Sequence, residues 1–231
     1  MHIDLTVQEQ SGSRTARFFF DKMVNAGFSG RNQEKVQEHV RELAAKGIPA
    51  PSETPTLYPV VCQSLLCRSS IDVLGDKTSG EVEYVLFLDQ EGGMYAGLGS
   101  DHTDRHLEET DIPRAKQICP NLVSDTVWPL SEVEAHWDDI VLKSAVTVNG
   151  ETVPYQEGAL GGVLSPRQML DFVRSKVSCE LKNMVIYSGT VAMLTDGFRY
   201  GERFEAEMVD PHLERRLGLQ YAINNVESIT A

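Results

Sequence analysis

The sequence predicts an α+β protein built on a curved, barrel-like mixed sheet. Three observations carry that expectation. Many short segments are rich in β-branched and aromatic residues, few stretches have helical spacing, and turn sequences recur between them.

Residues 3–7 and 16–20 read as short strands. A helix follows over about 32–46, where Val36, Val40, Leu43 and Ala44 recur at helical spacing before Gly47 and Pro49 stop it. Residues 48–59 hold four prolines, which forbids a helix and reads as an extended connection. The run 82–88 is turned by Gly92-Gly93 into 94–98, which makes a hairpin. A second hairpin turns at Asn149-Gly150, the favoured type I′ pair. Ser165-Pro166 is an N-cap followed by proline at the first helical position, opening a helix that carries Met169, Leu170, Phe172 and Val173. Strands return at 184–187, 203–209 and about 219–223. The expected organisation is an N-terminal portion over 1–60 and a main body over 61–231, or one continuous domain of both.

A chain of 231 residues buries a sizeable core without disulfides. With 41% hydrophobic and 24% charged residues it reads as globular. A net charge of −13 argues against nucleic acid or an anionic membrane as partner, since either would repel it. A small anionic substrate stays compatible when a bound cation inverts the local field. Cys62, Cys67, Cys119 and Cys179 form no CxxC pair and are expected to be reduced, mostly buried thiols. The segment from Met1 to Asp4 has no basic and apolar leader pattern, and no run approaches a membrane span, so the expected location is the cytoplasm.

The candidate chemistry begins at Glu81 and Glu83. Two residues apart in a strand, they point to one face. Spacing alone fits a solvated strand end equally well. The hairpin topology adds Asp101, because the return strand ends beside the start of its partner. Three converging carboxylates suit a hard cation, Mg²⁺ or Mn²⁺ among others. His102 and His106, four apart, raise a zinc alternative, but no HExxH glutamate lies between them. On the first helix His39 and Glu42 are neighbours, which suits a water-activating base or simply a solvated helix face. Lys116 taken alone reads as an ordinary surface lysine. The Tyr187-Ser188-Gly189-Thr190 turn can offer backbone N–H groups and a hydroxyl to an anion. No G-x-S-x-G elbow, Walker A run or G-x-G-x-x-G run is present, which disfavours a serine hydrolase or a nucleotide site.

In this order, these pieces resemble the fumarylacetoacetate hydrolase superfamily, over about residues 25–225. Gly30-Arg31-Asn32 followed by His39-Val40-Arg41-Glu42 resembles the "GRN…HxxE" stretch of its acylpyruvase branch. Glu81-Val82-Glu83 is similar to the E-x-E metal pair, and Asp101 through Arg105 to the "D-x-[ST]-x-R" segment. Lys116, Ser188-Gly189-Thr190 and Gly201-Glu202-Arg203-Phe204 follow where the family has its lysine, its small-residue turn and its "GD" turn. The resemblance implies a twisted β-roll with an N-terminal lid helix, usually dimeric. It also implies Glu81, Glu83 and Asp101 as ligands of Mg²⁺ or Mn²⁺, with His39, Glu42 and Lys116 catalytic. Arg105, Gly189 and Thr190 would contact a small anionic 2-keto acid. Hydrolytic C–C cleavage of a 3-acylpyruvate-like compound is the expected reaction. Decarboxylation, hydration or tautomerisation at the same metal is the alternative, and a non-catalytic binding or scaffold protein is a third reading. The chain departs from the family in three places. The interval from Glu83 to Asp101 is short, Val191 replaces a proline after Thr190, and the lysine segment lacks a Phe-Asp continuation.

Overall fold

The computed structural model describes residues 1–45, 51 and 53–230, without the side chains of residues 39, 42–45, 228 and 230. Its first strands are His2–Glu9 (β1), Gly12–Phe19 (β2), Lys22–Gly27 (β3), Thr56–Pro59 (β4), Leu65–Leu66 (β5), Ser70–Val73 (β6) and Thr78–Ser79 (β7). Then come Val82–Leu88 (β8), Met94–Asp101 (β9), Thr103–Asp104 (β10), Asn121–Pro129 (β11), Val141–Val148 (β12) and Glu151–Ala159 (β13). Met184–Tyr187 (β14), Arg203–Asp210 (β15) and Arg215–Asn225 (β16) complete them. The helices are Gln33–Ala45 (α1), Arg105–Glu108 (α2), Ile112–Ile118 (α3), Leu130–Val133 (α4) and Pro166–Lys176 (α5).

Nine strands form a mixed sheet in the order β2-β1-β11-β9-β8-β14-β3-β4, with β5 added alongside β11. The N-terminal strands are built into this sheet: β1 runs parallel to β11, and β3 parallel to β14. A second sheet runs β13-β12-β15-β16-β6. The sheets face each other across an apolar layer that includes Tyr84, Leu86, Leu98, Leu122 and Trp128 on one side and Leu142, Val146, Phe204, Met208 and Tyr221 on the other. Period two then sends the alternate residues of β8, Glu83, Val85 and Phe87, to the opposite face. There Val85 and Phe87 join Leu5, Val7, Phe18, Met23, Val60, Leu65, Val123 and Tyr187 in a smaller cluster. Both faces of β8 are therefore covered, which explains why 82–88 reads as a nearly continuous apolar run broken by one glutamate.

Local signals match the elements they predict. Asn149 (φ 53°) and Gly150 (φ 80°) adopt the positive-φ pair of a type I′ turn between β12 and β13. Ser165 and Gln168 form a capping box at the start of α5. The helix expected over 32–46 is α1; residues 46–50 and 52, the start of the proline run, lie outside the described residues. The expectation for the cysteines is corrected, since only Cys119 is buried; Cys67 and Cys179 are exposed and Cys62 is half-buried, all as free thiols. Among the described residues, no helix is long and apolar enough to cross a membrane.

Candidate active site

The hairpin β8–β9 builds the site at its open end. Val82 pairs with Ser100, so one residue further out Glu81 and Asp101 stand opposite one another. Their backbones exchange hydrogen bonds in both directions, at 3.2 and 3.0 Å. Glu83, two residues on, shares their face. One carboxylate oxygen from each of Glu81, Glu83 and Asp101 lies within 4.8 Å of the others. Glu83 and Asp101 are buried and Glu81 nearly so.

Carboxylates so placed require compensation. Burial first, then repulsion from Asp101, pushes Glu83 well above the usual carboxylate range. Glu81 is also raised by burial, against the opposing pull of Arg105 and Lys116. Lys116 arrives from the last turn of α3 with its Nζ 2.5 Å from Asp101 Oδ2 and 3.8 Å from Glu81 Oε2. Burial alone would lower this ammonium; Asp101 and Glu81 outweigh it and hold Lys116 charged. The surface reading of this lysine is thus corrected: it is a buried member of the carboxylate cluster. The donor set is all oxygen, crowded and carboxylate-rich, which fits a hard divalent cation such as Mg²⁺ or Mn²⁺.

The turn after β14 completes one wall. The Gly189 N–H donates to Glu83 Oε2 at 2.7 Å and so fixes that carboxylate. Gly189 has φ +82°, and a Cβ there would meet Ser29 Oγ at 2.3 Å, so the turn needs glycine on two counts. The Thr190 hydroxyl is engaged within the protein. It donates to the Val82 carbonyl at 2.8 Å and accepts from Gln156 Nε2 at 2.6 Å, which leaves no proton for an anion. Arg105 is likewise committed. Its Nε donates to Ser79 Oγ, its Nη1 meets Glu108 at 2.8 Å and Glu81 at 3.3 Å, and its guanidinium stacks on Phe198. Its guanidinium thus stands as a buried counter-charge beside Glu81 and Glu108.

The zinc alternative finds no geometry. His102 is buried between Tyr221 Oη at 2.9 Å and Thr78 Oγ1 at 3.0 Å, while His106 is exposed on α2. Burial depresses His102 to about 3, so the ring is neutral. His39 and Glu42 belong to α1, but their side chains lie outside what the structure describes.

Three further side chains share this face: Tyr187 of the turn sequence already noted, Tyr58, and Asn121, which has no signal of its own in the local sequence. The Tyr187 hydroxyl donates to the Leu122 carbonyl at 2.7 Å. Its ring crosses Gly99, where a Cβ would lie 2.6 Å from Tyr187 Cε1. Asn121 stands in register with Asp101, and the Tyr58 ring lies 6.0 Å from Lys116 Nζ. A fourth, Asn25, does leave a trace in the sequence: a lone amide within the apolar strand Met23-Val24-Asn25-Ala26.

Structural comparison finds this fold in several solved proteins. The crystal structure of Cg1458 superposes with a TM-score of 0.64 at 17% identity, covering 94% of this chain and 81% of that one. A 2-keto-3-deoxyarabinonate dehydratase gives 0.65 at 14% identity, covering 93% and 77%. Yeast ynq8, a fumarylacetoacetate hydrolase family protein, gives 0.60 at 15% identity, covering 89% and 93%. This chain therefore shares its α+β mixed-sheet fold with these proteins, a fumarylacetoacetate hydrolase family protein among them. A search of curated proteins finds no match. The family model described as "Protein of unknown function (DUF2848)" matches residues 26–221, and the chain belongs to that family.

Proposed function

We propose that this member of the DUF2848 family is a metal-dependent enzyme that cleaves a carbon–carbon bond in a 3-acylpyruvate-like 2-keto acid. The observation that carries the reading is the convergence of Glu81, Glu83 and Asp101 within 4.8 Å, with the Lys116 ammonium beside them. In this reading the three carboxylates hold one Mg²⁺ or Mn²⁺. When bound, the ion supplies Lewis-acid stabilisation to the substrate oxygen at C2.

The chain's own groups do the rest. The Gly189 N–H holds Glu83 in place, and Arg105 holds Glu81. Lys116, kept charged by its neighbours, steadies anionic oxygens of the substrate. His39, backed by Glu42, removes a proton from the attacking water. That assignment rests on the sequence resemblance, and general-base help of this kind is worth on the order of 10² to 10⁴ in rate. A homodimer is the assembly the same resemblance supports.

A second reading keeps the metal and drops the water: dehydration or decarboxylation of a 2-keto acid. The superposition on a 2-keto-3-deoxyarabinonate dehydratase favours it, because that protein's reaction acts on a 2-keto acid. His39→Ala separates the two. The hydrolytic reading predicts that C–C cleavage is abolished while Mn²⁺ binding persists. Loss of Mn²⁺ binding together with activity would contradict the role given to His39, and retained dehydration or decarboxylation by the variant would favour the lyase.

A further inference from the structure

Two buried amides flank the carboxylates with no partner. Asn25 and Asn121 are each fully buried, and neither the Nδ2 nor the Oδ1 of either makes a hydrogen bond. An amide offers two N–H donors and a carbonyl acceptor, and burying all of them unmet is rare because each lost bond to water is unrecovered.

Strand register places both on the face that carries the site. Asn121 is directly opposite Asp101, which is opposite Glu81. On the other flank, Val85 shares the face of Glu83 and stands opposite Tyr187; Tyr187 stands opposite Asn25, and Asn25 opposite Tyr58. In a flat sheet β14 and β11, three strand intervals apart, would be separated by about 14 Å. Yet the single Tyr187 side chain reaches the Leu122 carbonyl. The sheet is thus curled toward this face, which brings the strands that carry the two amides and the carboxylates closer together than a flat sheet would.

The charges define what these amides are suited to meet. Among the described residues, Lys116 and Arg105 are the buried cations, and both are engaged by carboxylates of the protein. A second carboxylate on a substrate tail would find no free positive charge here. An apolar tail would leave both amides unmet. A hydroxyl or carbonyl oxygen satisfies either group without a charge. We infer that Asn25 and Asn121 form a subsite for neutral oxygen atoms on the tail of the 2-keto acid. They thereby select hydroxylated or carbonyl-bearing tails over apolar or dicarboxylic ones. The inference rests on the metal-centred reading above and names the substrate class for that site.

The test uses Asn25→Leu and Asn121→Leu, which keep the branched side-chain shape at somewhat larger volume and remove the polar atoms. Thermal unfolding of the Mn²⁺-loaded protein is measured with oxalate, with 2-oxobutanoate and with 4-hydroxy-2-oxobutanoate. The wild-type chain should bind the hydroxylated acid at least about tenfold more tightly than 2-oxobutanoate. Each variant should lose that preference, keep oxalate binding within about twofold, and unfold without ligand no earlier than the wild type. A structural amide would behave oppositely, lowering the unliganded melting temperature and sparing the preference. Where a leucine variant fails to fold, Asn→Ser at the same position reads the same preference. Retained preference in both variants, or none in the wild type despite oxalate binding, overturns the subsite alone; waters alone then meet the amides. Failure of the wild type to bind oxalate with Mn²⁺ overturns the metal-centred reading, and this inference with it.

Discussion

Lys116 decides how the three carboxylates coexist. Its ammonium is the nearest positive charge to Asp101, and Arg105 serves Glu81 from the other side. Removing a buried partner leaves uncompensated charge, a loss typically of about 3–5 kcal/mol. Lys116→Met should therefore lower the stability of chelator-treated protein by that order, and added Mn²⁺ should restore most of it. Denaturant unfolding with and without the ion checks this; an unchanged midpoint in the metal-free variant would mean the ammonium does not compensate the cluster. At this scale the sequence was legible where the relation is local. Glu81 and Glu83 share a face by strand period, and Asp101 returns to them through one hairpin. The depth of Lys116 and the placement of Asn25 and Asn121 on the face of the carboxylates depend on the packing and register of segments far apart in sequence, which no local pattern encodes. The commitment of the Thr190 hydroxyl to Val82 was hidden for the same reason.

The hairpin β8–β9 is the element that carries the three carboxylates, and at Gly99 it has no room for a side chain. A Cβ at Gly99 would lie 2.5 Å from Val85 Cγ2, 2.6 Å from Tyr187 Cε1 and 2.9 Å from the Leu122 carbonyl oxygen. The last is backbone and cannot yield as a side chain can. Gly99→Ala should destabilise the fold by roughly 1–3 kcal/mol and weaken Mn²⁺ binding as Tyr187 is displaced. An alanine variant of wild-type stability and metal affinity would contradict this packing. Elements with strong local punctuation were readable from sequence: the Asn149-Gly150 turn, the Ser165-Pro166 start of α5, and the apolar stripe of α1. The short strands β5, β7 and β10 were not. Two residues of strand carry no periodicity, and their pairing comes only from the chains they lie against.

The whole molecule assigns different work to the two faces of its large sheet. One face is closed by the second sheet over an apolar core. The other combines a smaller apolar cluster with a polar end at the carboxylates. The α+β class and mixed sheet followed from strand count and turn spacing, but not the strand order β2-β1-β11-β9-β8-β14-β3-β4, which needs contacts between residues over a hundred positions apart. The central claim is that this polar end holds a divalent ion with positions open to a 2-keto acid. Thermal unfolding of chelator-treated protein, with Mn²⁺, with oxalate and with both, tests it most directly. Oxalate presents two adjacent anionic oxygens, as a 2-keto acid does when it chelates. The account predicts stabilisation by Mn²⁺ and a larger shift that requires ion and oxalate together. No shift under any of the three conditions would contradict it.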